Sequence, residues 1–215
     1  ALIALCAALL AAGYFCLIPS DYKTLGEHAA AAVTFVSNFV FKGEDGYFDA
    51  PSRDKWLLHT WSLSVEWQFY LLYPLCLLAV KKYLKAARRK LPFLLLVTAL
   101  ISLAVAVVVT PAKAAFAFYL LPARIWEFMA GALVYLVVQQ RSPSFSKPSY
   151  VAFLGLALIM ASFFAFDDNT PWPAIPTLIP VLGSALVSLV AQDDFRLTGN
   201  IVAQKIGQWS YAIYL

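Results

Sequence analysis

Of 215 residues, 62% are hydrophobic and only 13% charged, and the net charge is +4. That balance excludes a water-soluble globular domain and points to a chain built of membrane-crossing helices. Cys6, Cys16 and Cys76 all lie inside apolar runs, and there are two histidines, so neither a disulfide framework nor a metal site is expected.

Taken in order, residues 1–18 read as a first helix ended by Pro19. The apolar run 29–41 is too short to span and reads as a re-entrant or interfacial helix. A turn-rich loop over 43–55 leads to a second helix, 56–80, followed by a basic run, 81–90, with six positive charges and no negative one. Further helices are expected at 92–109, 116–138, 150–166 and 177–191, with a seventh starting at W-S-Y-A-I-Y-L (209–215). The fold class is therefore all-α: a polytopic transmembrane bundle of about six complete spans, the start of a seventh, and the short helix. Both ends fall inside apolar runs, so the chain reads as one transmembrane domain, 1–215, of a longer protein.

Charge sorting supports this topology. Loops after the first, third and fifth helices carry five basic residues against eight acidic ones, and those after the second, fourth and sixth carry ten against Asp193 and Asp194. The second set is expected on the cytoplasmic side, so the basic excess reflects topology and not nucleic acid, although 81–90 could also grip anionic lipid headgroups or the phosphates of a nucleotide-bearing donor.

The chemistry concentrates in the stretch H-T-W-S-L-S-V-E-W-Q-F-Y-L-L-Y, His59 to Tyr73. At about 100° per residue, Ser62, Glu66, Tyr70 and Tyr73 fall within roughly 80° of one another, beside the direction of His59. A carboxylate facing hydrocarbon is costly, so this stripe is expected to face protein or a wet cavity. Glu66 could hold helices together or serve a reaction or transport site; intramembrane acids favour the second. Arg124, Glu127, Gly131 and Tyr135 repeat the pattern on another helix, with Arg124 within reach of Glu127 three residues on, or of Glu66. Gly131 would admit a close neighbour or ligand. Trp209, Tyr211 and Trp172 read as interfacial aromatics, and Trp172 could alternatively stack on a sugar. Two functions fit these residues: a membrane transferase in which Glu66 or His59 handles an acceptor hydroxyl, or a secondary transporter or flippase using Glu66 as a proton or ion site.

The motif L-L-H-T-W-S-L-S-V-E-W-Q-F-Y-L-L-Y-P (57–74) resembles the signature of the membrane acyltransferase-3 family. F-V-S-N-F (35–39), G-Y-F-D (46–49), R-I-W-E-F-M-A-G (124–131) and G-Q-W-S-Y-A-I-Y-L (207–215) resemble it too. The resemblance implies transfer of an acyl group, usually acetyl from acetyl-CoA, to a hydroxyl of a cell-surface or exported carbohydrate, in the bacterial inner membrane. The partners it implies are lipid, an acyl-CoA donor and a carbohydrate acceptor, with no bound cofactor. On these positions Glu66 is expected to position or polarise groups, acting through His59, while Arg124, paired with Glu127, holds an oxyanion or a donor phosphate. Ser62, Tyr70, Tyr73 and Tyr211 are expected to line the substrate site. Two features depart from the family pattern. Trp67 stands where many members carry a second glutamate, and the family's proposed catalytic histidine belongs to a helix upstream of this stretch.

Overall fold

Helices supply every regular element among the residues that the computed structural model describes: 1–44, 55–83, 87–141, 148–167, 170–190 and 200–215. In chain order they are α1 (Leu2–Cys16), α2 (Pro19–Val33), α3 (Ser37–Gly43), α4 (Thr60–Tyr83) and α5 (Ala87–Val109). There follow α6 (Ala114–Tyr119), α7 (Ile125–Arg141), α8 (Pro148–Ala165), α9 (Leu178–Val190) and α10 (Ile201–Tyr214), with 3-10 turns at Leu121–Ala123 and Ile175–Thr177. Among the described residues, α4, with 24 residues, and the 21-residue stretch Arg89–Val109 of α5 are long and apolar enough to cross a bilayer. Leu2–Cys16, Ile125–Gln139, Tyr150–Ala165 and Ile175–Val190 are apolar but shorter. The motif G-Y-F-D at 46–49 and part of the basic run, residues 84–86, lie outside the described residues.

Several expected boundaries move for identifiable reasons. The charged stretch after Pro19 is helical, because proline is well suited to the first position of a helix, where no N–H partner is needed. The run 29–41 is therefore not one segment. It is cut between α2 and α3 at Phe35, whose φ of 55° lies in the left-handed region. There Val36 N–H bonds Ala31 C=O at 2.9 Å and Phe35 N–H bonds Ala32 C=O at 3.2 Å, a double closure of the helix end usually built on glycine. The expected helix 116–138 is broken as well. Pro122 cannot donate, and its ring disfavours helical backbone at Leu121, so α6 stops and α7 starts afresh at Ile125. Downstream, α10 begins at Ile201, earlier than expected, with the Asn200 side chain accepting from the N–H groups of Val202 and Ala203.

The chain divides into two units. The first holds residues 1–78, 119–121 and 209–215. Its apolar core joins Leu2 and Cys6 of α1 to Leu25, Ala29 and Ala32 of α2, and to Leu57. An ion cluster closes one edge. His28, 3% exposed, places Nε2 2.7 Å from Glu44 Oε1, while Lys55 Nζ lies 3.0 Å from Glu44 Oε2 and donates to the Glu44 carbonyl. Burial pushes the Glu44 carboxyl up, but the hydrogen bonds and charges of His28 and Lys55 outweigh it and hold the carboxyl below its ordinary range.

The second unit holds residues 79–118 and 122–208. Ala106 of α5, Ala117 of α6, Ala123 and Trp126 of α7 form its core. The break before α7 is held by Ser102 of α5, which donates to Pro122 C=O at 2.7 Å and accepts from Trp126 N–H at 3.1 Å. Helices α8 and α9 meet backbone to backbone. A Cβ placed on Gly155 would sit 2.6 Å from the Gly183 carbonyl oxygen, and one on Gly183 would sit 2.7 Å from that of Gly155. Only glycine permits so close a crossing.

Two outcomes follow from these contacts. Gly183→Ala forces α8 and α9 apart and is expected to cost about 1–3 kcal/mol, read as a lowered unfolding midpoint in detergent. Gly26→Ala, where an added Cβ meets no atom within 4 Å, is expected to gain as much as about 1 kcal/mol, since glycine inside a helix is costly. The Glu44 cluster, having a depressed carboxyl, stabilises the fold above the ordinary carboxylate range and loses that contribution as pH falls through the folded value. Glu44→Gln should cost about 1–2 kcal/mol at neutral pH, a figure discounted for the exposure of Glu44, and should flatten the acid decline below about pH 4. Unfolding midpoints of both proteins across that range check it.

Candidate functional site

The polar residues of α4 fall on two faces. One is satisfied inside the first unit. Thr60 and Ser64 are buried, and Ser64 Oγ lies 2.7 Å from Ser37 Oγ and accepts from the Ser37 N–H at 3.2 Å. One turn on, Gln68 Nε2 donates to Asn38 Oδ1 at 2.8 Å and to the Phe35 carbonyl at 3.2 Å, while Asn38 Nδ2 donates to the Tyr119 carbonyl. Trp67, in place of the second glutamate, stacks on the Phe35 ring with centroids 4.8 Å apart. Together these contacts fix how α4 is turned about its axis.

The other face, roughly 160° round the helix from the first, is the predicted stripe. Glu66 sits on it half-buried, and among the described residues its carboxylate has no hydrogen-bond or ion-pair partner. Ser62 and Tyr70 do not bond it. Tyr70 is 61% exposed, and Tyr73 stacks on Phe69 at 5.1 Å. Pro74 inside α4 has no N–H, so the Tyr70 carbonyl lacks its helical donor and adds an acceptor to this face.

His59 is not on the helix. It lies in a run of tight turns in which Thr60, Trp61 and Ser62 each donate to the carbonyl three residues back. The expected Glu66–His59 pair is not formed, and His59 meets α10 instead. Its ring packs edge-on to Tyr214 at 5.6 Å; the Tyr214 hydroxyl donates to the His59 carbonyl at 2.9 Å and takes a hydrogen bond from Ser62 at 2.6 Å. Its Nε2 is buried and, among the described residues, makes no hydrogen bond, which costs about 1–3 kcal/mol for such a group. Tyr211, a turn before Tyr214, is exposed.

In the second unit Arg124 and Glu127 pair as their spacing suggested, Nη1 to Oε1 at 2.8 Å. The guanidinium, 9% exposed, also donates to the Phe118 carbonyl at 3.2 Å and lies over the Phe118 ring. Arg124 is thus paired with Glu127 and anchored by α6 through the carbonyl and ring of Phe118. Beyond the pair, Glu127 and Gly131 line a cavity of about 310 Å³ between α7 and α9, with Trp172 and Thr177 at the Glu127 end. Tyr135, further along the same stripe, is exposed.

Comparison with known proteins agrees with this reading of the motifs. A family model described as an acyltransferase domain matches residues 2–215. The chain belongs to the acyltransferase-3 family. Among relatives of this acyltransferase-3 chain, an uncharacterized protein of Haemophilus influenzae is 29% identical over 194 residues, covering 83% of this chain and 77% of its own. A second, from Komagataeibacter xylinus, is named as a proposed membrane-bound transacylase, BcsY, and is 26% identical over 223 residues, or 97% of this chain. The alignment takes in 53% of BcsY, so the chain spans about half the length of that relative. No solved structure matches.

Sequence reasoning missed the face that anchors α4. The signal was present, since Thr60, Ser64 and Gln68 recur every four residues, but a stripe containing an acid drew attention first. It also missed His28, whose partner Glu44 lies sixteen residues further along the chain and is itself paired with Lys55. Tyr214→Phe removes the hydroxyl that joins α10 to His59 and Ser62. It should cost about 0.5–1.5 kcal/mol and speed amide exchange in residues 209–215, measured by hydrogen–deuterium exchange at unchanged pH.

Proposed function

We propose that this chain is the membrane domain of an O-acyltransferase that moves an acyl group, acetyl in the first instance, from acyl-CoA to a hydroxyl of a cell-surface or exported carbohydrate. It works in the bacterial inner membrane as a multi-pass bundle of about six spans and the start of a seventh. The observation that carries the reading is the family match over residues 2–215, with the glutamate of the matching motif, Glu66, held on a membrane-length helix with no hydrogen-bond or ion-pair partner among the described residues. Such a carboxylate is an acceptor only, so it suits an incoming hydroxyl.

In this scheme Glu66 accepts a hydrogen bond from the acceptor hydroxyl and fixes the direction of its oxygen lone pair. That oxygen attacks the thioester carbonyl, the new ester C–O bond forms as the C–S bond breaks, and the hydroxyl proton passes by way of a general base to the departing sulfur, so that CoA leaves as the thiol. His59, tied to α10 through Tyr214, orients groups at the end of the same helix. Ser62, Tyr70, Tyr73 and Tyr211 contribute hydroxyls along the approach.

Glu66→Gln in the full-length protein is expected to cut acyl transfer about 100-fold or more, with expression and insertion into the membrane unchanged. Mass spectrometry of the surface carbohydrate reads the result. Wild-type acylation in that variant defeats the role given to Glu66. Movement of labelled substrate into vesicles with no change in its mass would replace the enzyme reading with a transporter.

A further inference from the structure

The cavity between α7 and α9 has no part in the scheme above, yet its chemistry is specific. One end is polar: the Glu127 carboxylate, the Trp172 indole and Thr177 gather there. The rest is lined mainly by small and aliphatic residues, Ala130, Gly131 and Val134 on α7 and Val181 and Ala185 on α9, with the small hydroxyls of Ser184 and Ser188 among them. Along α7 the lining runs from Glu127 to Val134, about 10 Å at 1.5 Å per residue. The volume of about 310 Å³ is roughly twice the ~150 Å³ that admits a benzene ring, and far too small for a helix. A space of that length and volume accommodates one extended hydrocarbon chain with a compact head.

The polar end says what the head must be. A carboxylate accepts hydrogen bonds and cannot donate them. Its charge is already met by Arg124 at 2.8 Å, so a cation gains little there, and an acid would face Glu127 with the guanidinium already committed. A neutral hydrogen-bond donor remains, of which a hydroxyl is the most compact. Trp172 suits the junction between such a head and its tail, since an indole offers an apolar face and one N–H.

We infer that this cavity binds a neutral amphiphile with a hydroxylated head against Glu127 and Trp172 and one aliphatic chain laid along Gly131 towards Val134. If the acyltransferase reading holds, the ligand is a lipid-linked form of the hydroxyl acceptor, and that clause alone rests on it. Gly131 provides the means of testing the site, because a Cβ there meets no atom within 4 Å and a larger side chain grows into the cavity and not into the fold.

The probe is octyl glucoside carrying a diazirine at the end of its chain, photolysed with the full-length protein in nanodiscs and mapped by peptide mass spectrometry. Labelling is expected in residues 130–134 and 181–188. Unlabelled octyl glucoside should compete, whereas glucose or octanoate at the same concentration should not. Gly131→Leu, and independently Ser188→Leu from the opposite wall, should each lower labelling at least about tenfold, equivalent to ~1.4 kcal/mol of binding, with unfolding midpoints unchanged. Labelling spread evenly over the apolar helices, or undiminished in both variants, overturns the site. Equal competition by octanoate overturns the hydroxyl head, and competition by glucose alone overturns the chain. Acyl transfer assayed on the same preparations separates the two proposals. Site-specific labelling in a protein without transferase activity sinks the enzyme reading and leaves the binding site, and the converse sinks only the site.

Discussion

The reciprocal hydrogen bonds between Gln68 and Asn38, with the further bond from Gln68 to the Phe35 carbonyl, set the terms for the rest of the first unit. In a chain this apolar, a polar side chain on a membrane-length helix must find a protein partner or mark a place where something else will meet it. On α4 the two alternatives occupy opposite faces. Thr60, Ser64 and Gln68 are bonded into α3 and the turn before it, so that face cannot be presented elsewhere. Glu66 lies on the other face of the same helix, half-buried and without a partner among the described residues.

Much of this was legible in the sequence, and the reasons for success and failure are particular. Helical character followed from the apolar runs, and the Arg124–Glu127 pair from three-residue spacing, because both depend on local geometry alone. The break at Leu121–Pro122 was also local, yet the long apolar run around it masked the proline. Helical periodicity puts His59 beside the polar stripe, but the turns before Thr60 take it off the helix and hand its carbonyl to Tyr214, more than 150 positions away in the chain. No periodicity reports such a contact. The same holds for His28 and Glu44, brought together by the turn between α2 and α3.

The second unit uses small residues in two different ways. At Gly155 and Gly183 their lack of a side chain brings two backbones into contact and makes a rigid pair of helices. At Gly131 the same property leaves space instead of closing it. All three glycines sit inside apolar helices, and in sequence Gly131 differs only in sharing a face with Arg124 and Glu127. Only the neighbour facing each one decides whether it tightens packing or opens a cavity, and α9 contributes to both through Gly183 on one side and Ala185 on the other.

The turn at Phe35 has one further consequence. A bulky side chain in a left-handed backbone conformation is disfavoured by roughly 1–2 kcal/mol, and here α4 itself compensates, through Gln68 on the Phe35 carbonyl and Trp67 on its ring. The coupling works in both directions. Any rolling of α4 about its long axis would strip support from that turn and let the chain relax, so the turn acts as an index pin for the helix. The acid on the far side thus inherits its bearing from a residue it never touches.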